Sequence, residues 1–131
     1  MEELFNIGIS ESTINEMIER NPEIKEITSE EINNKKYILE KIGCSNNQII
    51  NIIGSNPDYL NRTNDEIINL LKCLVDYGFK TLNILFDSNP YILNLDKFEI
   101  DNYINERISN NESLDDIIDD LDSNPILFNE M

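Results

Sequence analysis

The sequence contains no histidine and no tryptophan, and its only two cysteines, Cys44 and Cys73, stand far apart in the chain. Without histidine, the usual general base and the commonest metal ligand are both missing. Two isolated thiols form neither a zinc site nor a disulfide framework. No glycine-rich phosphate loop and no nucleophile motif is present. We therefore expect no enzyme, no catalytic residue, no cofactor and no bound metal.

Long apolar runs are also absent. No stretch approaches the roughly 18 apolar residues that a membrane-spanning helix needs, and acidic Glu2 and Glu3 directly follow Met1. Residues 1–31 are rich in acids and hold only two bases, unlike a signal or transit peptide. These features predict a cytoplasmic protein without a membrane partner.

Basic residues are scarce: 10 lysines and arginines face 26 acids, which gives a net charge of −16. The imbalance is strongest in residues 81–131, where 12 acids stand against two bases. Such a chain repels phosphate backbones and anionic membranes at long range. The charge makes nucleic acid an unexpected partner and favours a basic one.

Proline occurs only four times, and each proline follows an asparagine. The pairs are separated by 35, 33 and 35 residues, and the surrounding sequence repeats with them. "GISESTINEMIERNPEI" at 8–24 aligns with "GCSNNQIINIIGSNPDY" at 43–59, and the copy at 111–125 keeps the same frame. The third copy starts at Gly78 and reaches its Asn-Pro pair two residues early. A period near 34 residues is typical of helical repeats.

Each repeat is expected to form a helix, a corner and a second helix. Serines precede the first helices as N-caps, and Thr28, Thr63 and Asp96 precede the second helices, each with a glutamate three residues later. Gly43 and Gly78 lie where second helices should end. At each corner, proline pushes the preceding asparagine out of the α region and starts a one-turn helix that the asparagine caps.

These patterns predict an all-α fold, an α-solenoid of about three and a half helix–turn–helix repeats of 33–35 residues in one domain, 1–131. The combination of glycine, serine, two apolar turns, Asn-Pro and a Thr-x-x-Glu helix ending in Leu-x-x-x-Gly resembles the mitochondrial transcription termination factor (mTERF) repeat. Residues 42–78 match it best, and the likeness extends along nearly the whole chain. The resemblance implies a curved stack of three-helix units whose basic concave face binds double-stranded nucleic acid. This chain is a short and acidic variant.

Two sets of residues are candidate binding sites. Bases of the near-neutral middle repeat are the candidates for nucleic-acid contact: Arg62, Lys72 and Lys80. Aspartates of the last repeat form a candidate acidic partner surface: Asp115, Asp116, Asp119, Asp120 and Asp122. Two pairs of these aspartates, four residues apart, are spaced to hold Mg²⁺ or Ca²⁺. We interpret them instead as the solvated face of a helix, because Pro125 and Met131 break the EF-hand pattern.

Three functions remain open from the sequence. The first is a non-enzymatic interaction module that binds a protein partner through its concave face or an acidic surface. The second is a reduced mTERF-like nucleic-acid-binding protein, and the third is an acidic mimic of nucleic acid that blocks a basic groove. We also expect Ile126, Leu127 and Phe128 to fold back onto the stack, which predicts a monomer. Cys44 lies just before a helix N-cap, where a thiol pKa can fall, but a packing role is favoured.

Overall fold

The computed structural model describes residues 2–131. Within this range the chain forms eight α-helices and four one-turn 3-10 helices, and no β-strand. The α-helices are α1 (Glu2–Ile7), α2 (Glu11–Arg20), α3 (Ser29–Lys41), α4 (Asn46–Ser55), α5 (Asn64–Tyr77), α6 (Leu82–Ser88), α7 (Lys97–Ser109) and α8 (Leu114–Ser123). The 3-10 helices, named here the first to fourth corner helices, are Pro22–Glu26, Pro57–Asn61, Pro90–Asn94 and Pro125–Glu130. This is the all-α helical repeat that the sequence predicts.

The helices stack in rows, so that each repeat packs on its neighbours. The first helices α2, α4 and α6 pack in order, and the four corner helices contact one another in order. Among the second helices, α5 packs on α7, and α1 packs on α3 as the second helix of a partial unit would. Buried isoleucine and leucine side chains run through the stack as one continuous core.

The predicted caps are present at the helix starts. Ser10, Ser45 and Ser113 each accept a hydrogen bond from the backbone N–H three residues later. Thr28, Thr63 and Asp96 do the same for the second helices. The third unit is the exception, because α6 has only seven residues and Thr81 makes no side-chain cap bond. Its early Asn-Pro pair therefore shortens the first helix, whereas α2, α4 and α8 each have 10 residues.

A left-handed residue lies at or just beyond the end of each second helix. Gly8, Gly43 and Gly78 have φ angles of 111°, 96° and 104°. In the third unit the same repeat position is Asn111, whose φ of 71° makes it the only non-glycine residue with positive φ between residues 2 and 131. Glycine adopts this conformation without strain, and asparagine tolerates it at some cost.

We expect Asn111→Gly to stabilise the protein by about 0.5 kcal/mol. Glycine removes the backbone strain of the left-handed conformation in the folded state, and this gain exceeds the conformational entropy that glycine adds to the unfolded chain. Gly78→Ala should destabilise it by about 1 kcal/mol. A Cβ atom at Gly78 would meet no atom within 4 Å, so this cost is one of backbone conformation alone. Urea denaturation of both variants measures the two effects. A destabilised Asn111→Gly variant would show that the asparagine side chain makes a favourable interaction of its own.

Asparagine side chains at the corners join successive units. Asn56 Nδ2 donates to the carbonyl of Pro90 at 2.9 Å and to Asn94 Oδ1 at 3.0 Å, and Asn94 Nδ2 donates back to Asn56 Oδ1 at 3.0 Å. Asn89 donates in the same way to the carbonyl of Pro125 and to Asn129 Oδ1. We call these inter-unit bonds, with the bond from Asn21 to Asp58 Oδ1 at 3.0 Å, the asparagine ladder.

The ladder changes the role that the sequence predicts for these asparagines. Asn21 and Asn89 do cap their corner helices, through bonds from the N–H groups of Glu23 and Tyr91. The capping prediction is wrong for Asn56 and Asn124, whose side chains make no cap bond. Asn56 is 1% exposed, because its whole amide is turned towards the third unit.

The last corner helix folds back in part. Phe128 is buried, and its ring lies 5.9 Å from that of Phe79, centroid to centroid. Leu127 is partly buried against the core. The prediction that all three apolar residues fold back is wrong for Ile126, which is 67% exposed.

Candidate interaction surfaces

Arg62, the first candidate for nucleic-acid contact, lies between two repeats. Its Nη1 donates to the carbonyls of Leu93 and Leu95 at 2.7 Å and 2.6 Å, and its Nη2 pairs with Glu66 at 3.3 Å. The side chain is 13% exposed. Its guanidinium therefore holds the second unit against the third corner helix.

The other two predicted bases are accessible but separate. Lys72 is exposed on α5, and Lys80 is exposed in the connection between α5 and α6. Lys72 shares a groove with Lys97 of α7, whereas Lys80 is not among the residues that line this groove. The structure thus does not gather the three predicted residues into one site, and it brings in Lys97, which the sequence analysis did not consider.

The α5–α7 groove has a volume of about 400 Å³ and both signs of charge on its walls. Tyr77 donates a short hydrogen bond to Asp101 across the groove, and burial together with this carboxylate raises the pKa of the Tyr77 hydroxyl. Burial and Asp101 also raise the pKa of the Cys73 thiol to about 11. Both groups are therefore held in their protonated forms at neutral pH. The groove lining is Asn69, Lys72, Cys73, Asp76, Tyr77, Lys97 and Asp101.

Cys44 is a packing residue. Its side chain is 9% exposed, and burial, with a smaller effect of Asp87, raises its thiol pKa to about 11. The structure therefore gives no lowered thiol pKa at the N-terminus of α4, and the packing interpretation is confirmed.

Helix α8 presents the predicted acidic surface. Asp115, Asp116, Asp119 and Asp122 are exposed, and the helix contains no base. Asp120 differs from the others, because its Oδ2 lies 2.9 Å from Nη1 of Arg107. We use the name α8 acidic face for the four exposed aspartates.

Arg107 is the second internally bound arginine. It donates two hydrogen bonds to Glu112, at 2.6 Å and 2.9 Å, as well as pairing with Asp120. These bonds lower the pKa of the Glu112 carboxyl and join α7 to α8. The guanidinium is thus occupied by two carboxylates of its own chain.

A buried lysine is a further feature that the sequence analysis missed. Lys35 is 4% exposed, and its Nζ donates to Asn64 Oδ1 at 2.9 Å. Burial lowers the pKa of this ammonium group, although Glu31 and Glu66 act in the opposite direction. The residue types of "NNKKY" do not distinguish Lys35 from its neighbour Lys36. The helical spacing does, because Lys35 lies three residues after Ile32 and four before Leu39, on the buried side of α3.

Neither a metal site nor a membrane-spanning helix is found within residues 2–131. No three acidic or cysteine side chains of this range come together in an arrangement that could hold a metal ion. None of the helices described is both long and apolar enough to cross a membrane.

Comparison with known proteins identified one relationship. The family model described as mTERF matches residues 1–105. Neither the curated proteins nor the solved structures gave a significant match. The matched segment contains α1 to α6, three corner helices and most of α7.

Proposed function

The chain belongs to the mTERF family of helical-repeat proteins, which generally bind nucleic acids and are not typically enzymes, and we propose that it is a binding module whose own partner is a basic protein. Membership of this family supports a helical-repeat fold and a function in binding another macromolecule. The charge of this chain points to a different partner.

The observation that carries the proposal is the contrast between three cations that are bound within the chain and a group of free anions on one helix. Lys35, Arg62 and Arg107 are engaged within the chain. The α8 acidic face, by contrast, presents four exposed carboxylates on a single helix. Nucleic-acid binding requires free cations that release condensed counterions from phosphates, and internally bound arginines do not serve that purpose.

The α8 acidic face has the properties of a site for a basic partner. Like charges four residues apart on a helix destabilise it by a few tenths of a kcal/mol per pair. A basic protein surface would relieve this repulsion between Asp115 and Asp119. It would also be steered to the site by the net charge of −16.

A pair of charge variants tests the proposal. The acidic-face variant changes Asp115, Asp116, Asp119 and Asp122 to asparagine, and the control changes four exposed acids around α2 to glutamine: Glu11, Glu16, Glu19 and Glu23. Both variants lose four negative charges. We expect the acidic-face variant to bind a lysine-rich peptide about tenfold more weakly than the control does, in fluorescence anisotropy at low salt.

Capture experiments from cell lysate extend the test. Proteins that the wild type and the control retain, and that the acidic-face variant does not, are the candidate partners. Release of such a protein by added duplex DNA would indicate that the chain acts as a nucleic-acid mimic. Equal weakening in both variants would contradict the proposal, since net charge alone would then explain binding.

Nucleic-acid binding remains the second candidate, because Lys72 and Lys97 line the same groove. Two lysines give only a weak, salt-dependent attraction, so we expect no micromolar binding of duplex DNA at physiological salt. A mobility-shift titration measures this directly. Micromolar binding that is lost in Lys72→Glu with Lys97→Glu, and kept in Lys36→Glu with Lys41→Glu on α3, would make this the better function.

A further inference from the structure

The outer side of α5 and α7 exposes large apolar side chains. On α5, Ile68 and Val75 are 45% and 57% exposed, and on α7, Phe98 and Ile108 are 65% and 44% exposed. Ile68, Lys72 and Val75 follow the i, i+4, i+7 spacing and so share one side of α5. We name these four apolar residues and the adjoining α5–α7 groove the α5–α7 face. Exposed apolar side chains of this size on two packed helices favour contact with another protein.

The charges of this face are balanced, unlike those of the chain as a whole. Each helix carries a lysine followed by an aspartate four residues later: Lys72 with Asp76, and Lys97 with Asp101. The four groups sum to zero in a chain whose net charge is −16. Among the ion pairs of residues 2–131, none involves these four side chains. Asp101 accepts a hydrogen bond from Tyr77, and Lys97 lies over the ring of Phe98, but no opposite charge of the described residues neutralises any of the four groups.

We propose that the α5–α7 face binds a second copy of the same chain to form a two-fold symmetric dimer. In such a dimer the same patch meets itself, so it must be self-complementary. Two helices that each place one lysine and one aspartate at the groove meet this condition, because each lysine of one copy can approach an aspartate of the other. A uniformly acidic or basic partner would leave half of these charges facing a like charge.

The rest of the surface supports the same choice of partner. Two copies that approached through α8 would bring four unpaired aspartates against four, whereas the groove of the α5–α7 face brings together groups of zero net charge. The apolar side chains of Val75 and Phe98 would supply the buried centre that a stable interface needs. The proposal departs from the monomer expected from the sequence. It leaves α8 free, so the dimer would present two α8 acidic faces.

Sedimentation equilibrium at two salt concentrations tests the proposal independently of the proposed function. We expect the dimer to be tighter at about 500 mM than at about 50 mM sodium chloride, because screening of the repulsion between two copies of charge −16 outweighs screening of the few lysine–aspartate pairs at the interface. Binding of a basic partner through α8 would weaken over the same range. Failure of one proposal thus leaves the other intact.

Matched variants locate the interface. We expect Val75→Glu with Phe98→Glu to raise the dimer dissociation constant at least about tenfold. The control is Ile84→Glu with Ile126→Glu, which adds the same charge at sites that are 55% and 67% exposed but lie on α6 and the fourth corner helix. All four sites are exposed, so both proteins should remain folded, as circular dichroism would verify. A wild-type chain that is monomeric at about 100 μM, or equal effects of the two variants, would overturn the proposal.

Charge exchange tests the self-complementary pairing. One variant carries Lys72→Glu and Lys97→Glu, and the other carries Asp76→Lys and Asp101→Lys. Each should dimerise poorly alone, and their mixture should form a one-to-one heterodimer. A mixture that stays monomeric while the wild type dimerises would show that these charges do not face each other.

Discussion

Asn56→Ala is expected to lower the free energy of unfolding by about 3 kcal/mol. The substitution removes three hydrogen bonds between the second and third units and leaves the carbonyl of Pro90 and the amide of Asn94 without their partner. A typical intramolecular hydrogen bond contributes about 1 kcal/mol net, and a buried polar group left unsatisfied costs about 1–3 kcal/mol. Urea denaturation, followed by circular dichroism, measures the loss.

The asparagine of the fourth Asn-Pro pair, Asn124, provides a control. Asn124 also precedes a proline, but it is exposed, and its Nδ2 donates only to Asp120 in its own helix. Asn124→Ala should therefore cost less than about 0.5 kcal/mol. If the two variants lose equal stability, the asparagines act through the local geometry of the Asn-Pro pair and the ladder contributes nothing.

Arg62→Met is expected to destabilise the protein by about 2 to 3 kcal/mol. Methionine keeps much of the apolar stem but cannot donate to the carbonyls of Leu93 and Leu95. Both bonds come from the same Nη1 atom, so we count them as one hydrogen bond from a charged group, which contributes about 1.5–3 kcal/mol. The loss should persist at high salt, because it comes from bonds to carbonyl groups rather than from an exposed ion pair.

Lys72→Met is the matched control for Arg62→Met. Lys72 is exposed on α5, so its substitution should lower the free energy of unfolding by less than about 0.5 kcal/mol. Equal stability of the two variants would show that Arg62 is free for an external ligand. The expected loss of stability also means that Arg62 variants are unsuitable for binding experiments. Loss of nucleic-acid binding in an Arg62 variant would report on folding, so the test above uses Lys72 and Lys97 instead.

Features that depend on neighbouring residues could be predicted from the sequence. The N-cap bond of Thr63 to the N–H of Glu66 spans three residues, and its pattern is complete in "TNDE". The left-handed position of Gly78 and the corner at Pro57 are local in the same sense. The repeats strengthen each of these predictions, because the same residue types recur at the same register in successive units.

Features that depend on stacking could not be predicted in this way. The bonds of Asn56 and Arg62 reach partners 31 to 38 residues away, and no local pattern indicates which side chains of one unit face the next. The sequence does contain one signal that was missed. Asparagine recurs four residues after three of the prolines, as Asn61, Asn94 and Asn129. Only the last two join the ladder, because Asn21 donates to Asp58 instead of Asn61.

The two candidate surfaces also differ in whether the sequence predicts them. The α8 acidic face follows from composition and helical spacing, and four of its five predicted aspartates are exposed. The fifth, Asp120, is engaged with Arg107, which lies on the preceding helix. The α5–α7 face exists only because stacking places Lys97 and Asp101 beside Lys72 and Asp76. Its residues belong to two repeats, and neither repeat alone indicates a groove.

The asparagine ladder also bears on how such a chain can change its length in evolution. In the bonds of Asn56 and Asn89 the acceptor is the main-chain carbonyl of a proline, which any unit with an Asn-Pro corner provides. The joint between units therefore does not require a particular pair of side chains to change together. Tandem duplication of a gene segment that encodes one unit would create a matching joint at once, and deletion of a segment would close the gap with the same bond.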